Sequence, residues 1–465
     1  MLKPLNRETA AVSKTRPVKV LQFGEGNFLR AFADWIIDIL NDETDFNGAI
    51  QIVQPLPSGM ANAINAQDGL YHVVLQGIKN SKPSKETRLI TSVRGVLNPF
   101  ENFGAYLKEA ENPELKFILS NTTEAGIVFN EKDQDPNILS ESFPGKLTTF
   151  LYHRFQYFNG ASDKGLVLMP CELIEKNADA LKKSILQYAS HWKLPETFSE
   201  WIGKDNLFCN TLVDRIVPGF PKDNIGEIQQ ALGFEDKLVV KAEPFHLWVI
   251  EAPAKVRDAF PVHQTNLQVK FVDDLTPYRT RKVRILNGAH TAMVPVAYLQ
   301  GLRTVQETVE DAATGKYVRE MIYDEIIPTL DLPAEELKGF AADVLERFQN
   351  PFIRHELISI SLNSISKYKV RVLPSLLEYH RRKNALPQRL VKALASLILF
   401  YKGAYHDETI PLNDSVDVLK FFEQAWTYPI EKLVEHTLGN ITFWDQDLNT
   451  VPGLADQISI ILKEK

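Results

Sequence analysis

Three side chains with complementary proton chemistry lie within nine residues of the chain: Lys282, Asn287 and His290. A lysine can exchange a proton with a hydroxyl group, an amide can donate to an oxygen that gains negative charge, and an imidazole can orient either partner. On an α-helix, Asn287 and His290 fall on one face, whereas Lys282 lies about 140° from Asn287 around the axis. The spacing alone therefore leaves a catalytic triplet and a set of ordinary structural side chains both open.

The composition is typical of a soluble globular protein with more than one domain. The chain has 465 residues, of which 44% are hydrophobic and 24% charged, and its net charge is −7. An acidic chain is a poor partner for nucleic acid, and no apolar run is long enough for a membrane span or a secretory signal. Two cysteines, Cys171 and Cys209, fit a reducing compartment, and no closely spaced His/Cys cluster predicts a metal site. We expect a cytoplasmic, metal-independent protein.

A strand, a glycine turn and a helix follow one another near the start of the chain. Residues 18–23 form a short apolar run, and apolar residues recur at helical spacing in residues 28–40. Between them, Gly24 permits a tight turn, and Gly26 allows a pyrophosphate to approach the start of the helix. Leu29 stands where a third glycine is usual, so nucleotide binding and an ordinary strand-to-helix turn both remain open.

Further apolar runs predict more strands of the same domain, at residues 49–53, 116–119, 165–169, 210–218 and 269–273. The first of these ends at Gln54, which is neither the acid that suits the ribose of NAD nor the base that suits NADP. The second leads into Asn121, Thr122 and Thr123, polar residues suited to a cofactor crevice or to capping the next helix. Alternation of strands and helices predicts an α/β Rossmann-type domain with an extended, mostly parallel sheet over residues 1–274.

From about residue 275 the pattern changes to amphipathic helices. Apolar residues recur three and four apart, and prolines or glycines separate the segments, which span residues 317–328, 333–348, 357–368, 389–401 and 416–426. We therefore predict that residues 275–465 form a second, mainly α-helical domain.

Three motifs occur in a characteristic order along the chain: residues 24–31 (GEGNFLRA), residues 213–218 (VDRIVP) and the Lys-x4-Asn-x2-His of residues 282–290. In this order they resemble the polyol-specific long-chain dehydrogenases, the mannitol dehydrogenase family, and the likeness runs from Leu5 to about Leu454. The resemblance implies a Rossmann-type domain that binds NAD(H), followed by a mainly helical domain. The implied cofactor contacts are Phe23, Gly24, Gly26, Asn27, Phe28, Asn121, Thr122 and Thr123.

The resemblance also implies catalytic roles. Lys282 would be the general acid/base, Asn287 would donate to the reacting oxygen with Asn177 as a second donor, and His290 would orient substrate or lysine. An ordinary lysine, with a pKa near about 10.4, is too protonated to act as a base at neutral pH. Catalysis by this lysine therefore requires a lowered pKa, through burial or a neighbouring cation.

Two further residues are implied to contact the substrate, Asp214 and Arg371. Leu29 replaces a histidine that is usual in the polyol enzymes, which favours the branch of the family that acts on hexuronates. We therefore predict an NAD-dependent reductase of a small keto-hexuronate, present as a monomer or homodimer. A sibling reductase, a mannitol-type dehydrogenase and a catalytically silent nucleotide-binding protein remain as alternatives.

Overall fold

In a computed structural model, the structure describes residues 2–79, 82–122, 126–406 and 408–464. The chain divides into two compact units, one formed by residues 1–76 and 83–275, the other by residues 77–82 and 276–465. In these described ranges no helix is both long enough and apolar enough to cross a membrane.

The first unit contains most of the strands. They are β1 (Lys3–Pro4), β2 (Val18–Phe23), β3 (Ala49–Val53), β4 (Tyr71–Lys79), β5 (Lys82–Ile90), β6 (Val93–Leu97), β7 (Phe117–Ser120), β8 (Val167–Pro170), β9 (Leu207–Phe208), β10 (Thr211–Asp214), β11 (Phe234–Glu235), β12 (Val240–Ala242), β13 (Leu247–Glu251) and β14 (Val269–Val272).

A six-stranded parallel sheet in the order β6-β3-β2-β7-β8-β9 lies at the centre of this unit. Strands β3 and β7 are buried at every position, which explains their continuous apolar sequences. From β2 the strands β3 and β6 follow towards one edge of the sheet, and the later strands β7, β8 and β9 follow towards the other edge. The carboxyl edge at β2 and β7 is therefore the switch point at which open α/β sheets bind their ligands.

The remaining strands form smaller sheets rather than extending the large one. The orders are β10-β13-β14 and β12-β4-β5, and β1 pairs with β11. The predicted runs at residues 210–218 and 269–273 are thus strands, but both pair with β13.

Helices cover both faces of the large sheet. The helices of the first unit are α1 (Asn27–Arg30), α2 (Ala33–Glu43), α3 (Ala61–Ala66), α4 (Phe103–Lys108), α5 (Phe143–Tyr157), α6 (Asn177–His191), α7 (Glu196–Lys204), α8 (Ile225–Leu232) and α9 (Ala254–Ala259). One apolar layer contains α2 and β13, and the other contains α5, α6 and α7. The helix predicted over residues 28–40 is interrupted because Phe32 leaves helical geometry, with φ −126° and ψ −79°.

The second unit is mainly helical. Its α-helices are α10 (Thr276–Arg281), α11 (Gly288–Tyr298), α12 (Val305–Glu310), α13 (Ala312–Glu320), α14 (Ala334–Phe348), α15 (Leu357–Ile360), α16 (Ser364–Arg371), α17 (Leu373–Lys383), α18 (Gln388–Phe400), α19 (Val416–Ala425), α20 (Ile430–Leu438), α21 (Ile441–Trp444) and α22 (Leu454–Lys463). Two π-helical turns, Lys282–Asn287 and Met321–Ile326, and two short strands, β15 (Ala404–Tyr405) and β16 (Glu408–Thr409), complete it. The predicted fold class, a Rossmann-type α/β half followed by a helical half, is confirmed.

Candidate active site

The carboxyl edge of β2 and β7 carries the turn predicted to bind the cofactor. Phe23 ends β2 in register with Ser120 of β7, and the Phe23 carbonyl accepts from Asn121 N at 3.2 Å. Gly24 N donates to the Val53 carbonyl at 3.2 Å. Gly24 has φ +118°, and a Cβ there would lie 3.2 Å from the Asn121 carbonyl oxygen, so the turn requires glycine. The structure therefore brings the two predicted loops together at one edge of the sheet.

The turn is open at Gly26. Gly26 is exposed, and a Cβ built on it meets no atom within 4 Å. Asn27 is also exposed, and its Oδ1 accepts from Arg30 Nη2 at 2.7 Å. Phe28 stacks on Phe32 with ring centroids 5.0 Å apart. Open space at the start of a helix suits the pyrophosphate of a dinucleotide.

A buried arginine holds this turn in place. Arg30 is 1% exposed and donates through Nε to the Glu25 carbonyl at 3.1 Å and through Nη1 to the Leu238 carbonyl at 2.7 Å. Its guanidinium also lies over the Tyr71 ring, 5.2 Å from the centroid. The geometry of the turn therefore depends on Arg30 as well as on its glycines.

The loop after β3 is contacted by a carboxylate of the glycine turn, that of Glu25. Gln54 bonds within residues 54–61, where its Oε1 accepts from Ala61 N at 3.2 Å. Glu25 is 8% exposed, and its Oε1 accepts from Met60 N at 3.3 Å. Burial raises the pKa of Glu25. An acid was expected at the end of β3, whereas the carboxylate beside this loop belongs to Glu25, whose position between two glycines is its only signal in the sequence.

The loop after β7 is held by a second residue that the sequence analysis missed. Glu172 is 3% exposed; its Oε1 accepts from Thr122 N at 3.0 Å and Thr122 Oγ1 at 3.1 Å, and its Oε2 accepts from Ser120 Oγ at 3.1 Å. Asn121 Nδ2 donates to the Cys171 carbonyl at 2.6 Å. The predicted cofactor residue Thr123 lies outside the described residues. Glu172 thus fixes the described part of this loop.

Asn177, predicted as a second donor to the reacting oxygen, is a buried residue whose side-chain amide is bonded to backbone groups. The side chain is 1% exposed, and Nδ2 donates to the carbonyls of Pro170, Glu172 and Thr211 at 2.9, 3.1 and 3.2 Å. Oδ1 accepts from Ala178 N and Thr211 N at 2.9 and 3.0 Å. Both ends of the amide are therefore committed to joining β8, β10 and α6.

Asp214, predicted to contact substrate, is the buried last residue of β10. Next to it, Arg215 donates to the carbonyls of Glu243 at 2.9 Å and Ala31 at 2.7 Å, and its guanidinium lies 4.2 Å from the centroid of the Trp35 ring. Burial lowers the pKa of Arg215 to about 9. In the Asp-Arg pair of the sequence motif, Arg215 thus fastens the strand end, and Asp214 stays a predicted substrate contact.

In the second unit, the predicted catalytic triplet begins in a π-helical turn and not in the α-helix used to judge its spacing. α10 ends at Arg281, the π-helix spans Lys282–Asn287, and α11 begins at Gly288. Hydrogen bonds of a π-helix run between residues five apart, which places Lys282 and Asn287 about one turn from each other. The angle of about 140° expected for an α-helix is therefore wrong here, and the geometric objection to joint action is removed. Such turns occur frequently at functional sites.

The end of α16 approaches this turn closely. A Cβ on Gly288 would lie 2.9 Å from the Arg371 carbonyl oxygen and 3.4 Å from that of Val283. Arg284 Nη1 donates to the Val370 carbonyl at 2.7 Å. The structure thus places Arg371, predicted from the sequence to contact substrate, beside the Lys282–Asn287 turn.

The ring of His290 is held between two other rings. Phe348 stacks on it with centroids 4.3 Å apart, and His355 meets it edge-on at 5.1 Å. Burial lowers the pKa of His355, which favours a neutral neighbour. A fixed imidazole plane suits a residue that orients another group.

The arginines around the turn differ in whether a carboxylate balances their charge. Arg281 is buried, forms an ion pair with Glu336 at 3.0 Å and lies 4.3 Å from the centroid of the Phe340 ring. Within the described ranges, Arg284 and Arg371 form no ion pair with a carboxylate. Burial lowers the pKa of both. Partly desolvated guanidinium groups without a protein carboxylate are suited to bind an anionic ligand.

Comparison with known proteins agrees with both halves of the chain. The profile described as "Mannitol dehydrogenase Rossmann domain" matches residues 18–262, and that described as "Mannitol dehydrogenase C-terminal domain" matches residues 274–464. The chain is 46% identical to an altronate oxidoreductase of Yersinia pestis over 96% of its length and 94% of that protein. It is 49% identical to an altronate oxidoreductase of Bacillus subtilis over 96% of its length and 92% of that protein.

Two solved structures have the same fold. A D-sorbitol dehydrogenase in substrate-free form superposes with a TM-score of 0.83 at 21% identity, covering 99% of this chain and 97% of that one. Pseudomonas fluorescens mannitol 2-dehydrogenase, solved with NAD and D-mannitol, gives a TM-score of 0.70 at 20% identity, covering 99% and 96%. The predictions of a dehydrogenase and of a dinucleotide-binding Rossmann domain are confirmed by the matching profiles. The chain belongs to the mannitol dehydrogenase family.

Proposed function

We propose that this protein is an NAD(H)-dependent oxidoreductase that interconverts D-tagaturonate and D-altronate in hexuronate catabolism. The observation that carries the proposal is the identity of 46–49% to altronate oxidoreductases over 96% of the chain. Relatives this similar over both units are expected to share a reaction as well as a fold. The geometry of the second unit supplies groups for that reaction.

The proton side of the reaction is assigned to the turn at Lys282. Nicotinamide, when bound, supplies the hydride that reduces the keto carbon or accepts it in the reverse direction. Lys282 Nζ gives a proton to the substrate oxygen during reduction and takes it back during oxidation. Asn287, about one π-turn away, donates a hydrogen bond to the same oxygen, a contribution worth roughly 10²–10³ in rate in other enzymes. His290, held by Phe348 and His355, orients the lysine or the substrate.

A hexuronate differs from a polyol in its carboxylate, and Arg371 is proposed to bind that group. Arg371 follows the segment whose carbonyl accepts from Arg284, and it lies beside Gly288. A guanidinium binds a carboxylate through two parallel hydrogen bonds, which also fixes the orientation of the substrate. Asp214, at the end of β10, is proposed as a further substrate contact on the strength of the family motif.

NAD(H) rather than NADP(H) is proposed as the cofactor. The loop after β3, residues 54–60, contains no lysine or arginine that would bind a 2′-phosphate. Its carboxylate neighbour is Glu25, bonded to Met60 N. The open turn at Gly26 and the loop of Asn121 and Thr122 are proposed to hold the dinucleotide.

We further propose that the enzyme acts on its small-molecule substrate in the cytoplasm, as a monomer or homodimer. Cys171 and Cys209 are both buried free thiols, which supports a reducing environment.

A substrate panel tests the proposal. Initial rates of NADH and NADPH oxidation are measured with D-tagaturonate, D-fructuronate and D-fructose. We expect kcat/KM for tagaturonate with NADH to exceed that of every other combination by about tenfold or more, because the site must bind a carboxylate and distinguish epimers. Preference for fructuronate would identify a sibling reductase, and preference for fructose a mannitol-type enzyme. Saturable NADH binding without turnover of any substrate would identify a sensor.

A further inference from the structure

A cavity lined by cations lies at the amino edge of the six-stranded sheet, where β2, β3 and β6 begin. Its volume is about 280 Å³, and it lies entirely within the first unit. The glycine turn lies at the opposite, carboxyl edge of the same strands. The residues that line the cavity are Arg7, Lys14, Thr15, Arg16, Ala49, Asn65, Asp68, Thr91 and Arg94.

Arg16 is the unusual member of this set. The residue is 8% exposed. Its Nε is buried and has no hydrogen-bond partner in the described part of the chain, nor does any carboxylate there form an ion pair with Arg16. Buried charges are ordinarily paired, because removing an ion from water without compensation costs several kcal/mol. A largely buried arginine whose Nε has no partner and which pairs with no carboxylate therefore suits an anionic ligand.

The other groups in the cavity do not compensate Arg16. The side chain of Arg7 donates to carbonyls of Asp68, Lys14, Thr91 and Val93 at 3.1 to 3.3 Å, and the Asp68 carboxylate accepts from Arg7 N at 3.1 Å. These bonds fasten the amino-terminal segment to the domain. The lining of the cavity contains one carboxylate, that of Asp68, and four cationic side chains.

The neutral polar side chains are committed as well. Asn65 exchanges hydrogen bonds with the backbone of Val96, and Thr91 Oγ1 donates to Asp38. Burial lowers the pKa of Arg7; among the neighbouring charges Asp68 raises it, and Arg16 and Arg94 lower it. The cavity is thus electropositive within a chain whose net charge is −7.

We propose that this cavity is a binding site for a small oxyanion, a molecule that carries phosphate or carboxylate groups. Arg16 would bind one oxyanion group from inside the cavity, and Lys14 and Arg94, both exposed, would bind from its rim. The volume lies near the lower end of small-molecule sites, which limits the ligand to an ion or a small metabolite. This site is separate from the dinucleotide turn and is independent of the proposed function.

The test is ligand-dependent thermal stabilisation of the full chain, with inorganic phosphate and citrate as probes and sodium chloride at matched ionic strength as reference. The variants are Arg16→Gln and, on the rim, Arg94→Gln. Arg257→Gln removes the same charge from an exposed position on α9 and serves as the control. We expect at least one probe to raise the Tm of wild type and of Arg257→Gln beyond the chloride effect. Both cavity variants should weaken that binding by about tenfold or more.

A larger response to phosphate would assign the phosphate class, and a larger response to citrate the carboxylate class. The proposal is overturned if neither probe exceeds chloride with the wild type. It is also overturned if the probes stabilise Arg94→Gln and a folded Arg16→Gln as strongly as they stabilise the wild type. Should Arg16→Gln not fold, Arg94→Gln alone decides. Turnover of the hexuronate substrates in buffer without phosphate or citrate should be unchanged in Arg94→Gln, so failure here is distinguishable from failure of the proposed function.

Discussion

Stability of the first unit should fall as pH rises from 5 to 8 because of one buried carboxyl group, Asp34 on α2. Asp34 is fully buried, and its Oδ2 accepts from Tyr71 Oη at 2.6 Å. Burial raises the pKa of Asp34 to about 7. Gln22 faces it, and Gln22 Oε1 and Asp34 Oδ1 are both buried oxygens without a donor among the described residues. A proton on Asp34 supplies the donor that this pair lacks.

The direction of the pH dependence follows from the pKa of Asp34 in the folded protein and its ordinary value. The folded pKa of about 7 exceeds the ordinary value of 3.8, so the folded state binds the proton more tightly. The resulting stabilisation is complete below pH 4 and is lost as pH rises through 7. Each pH unit in this window changes the free energy of unfolding by about 1.4 kcal/mol. Between pH 5 and pH 8 the loss is roughly 2.7 kcal/mol for this group alone.

The perturbation that isolates this effect is Asp34→Asn. The new amide keeps an acceptor for Tyr71 and offers Gln22 a donor at every pH, so it imitates the protonated acid. Urea unfolding followed by tryptophan fluorescence at pH 5, 6, 7 and 8 measures the difference between variant and wild type. Asp34→Asn should match the wild type at pH 5 and become the more stable protein at pH 8. Asp45→Asn, which removes an exposed carboxylate, controls for net charge. Parallel pH profiles of wild type and Asp34→Asn would refute the reasoning.

Two further predictions concern the groups that position the proposed site. Gly288→Ala should destabilise the second unit by about 1–3 kcal/mol in a thermal unfolding assay and reduce turnover, because its Cβ would lie 2.9 Å from the Arg371 carbonyl oxygen. The control is Gly339→Ala, whose Cβ would meet no atom within 4 Å. It should be neutral or slightly stabilising in the same assay. Glu172→Gln should raise KM for NADH about tenfold with little change in kcat, because the charged acceptor of Thr122 N becomes a neutral one; an unchanged KM would contradict the assigned role.

Much of the first unit could be predicted because its central strands are short, continuous apolar runs. The runs at residues 18–23 and 49–53 are strands with the predicted bounds, since both faces of the sheet are covered. The carboxyl-edge rule then located the glycine turn and the loop at Asn121. Periodicity could not reveal the break at Phe32, where one residue leaves helical geometry without a proline or glycine to mark it.

Several features of the site could not be predicted from the sequence, for specific physical reasons. Asn177 has the chemistry of an oxyanion donor, but its amide is used by backbone groups of three separate segments, a relation that one sequence does not display. The contact of Glu25 with the loop after β3 could not be predicted, because it joins two segments that are far apart in the sequence. The spacing of Lys282 and Asn287 was judged on α-helical geometry, whereas a π-turn changes which residues share a side.

The central claim is that Lys282 exchanges the proton during reduction of D-tagaturonate by NADH. The most direct test compares the single-turnover rate of NADH oxidation by wild type and Lys282→Ala, with NADH affinity measured separately by fluorescence titration. Lys316→Ala, on the exposed face of α13, is the matched control. We predict a rate about 10²–10⁴ lower in Lys282→Ala, with Kd for NADH within about twofold of the wild-type value. A Lys282→Ala rate close to that of wild type would contradict the assignment.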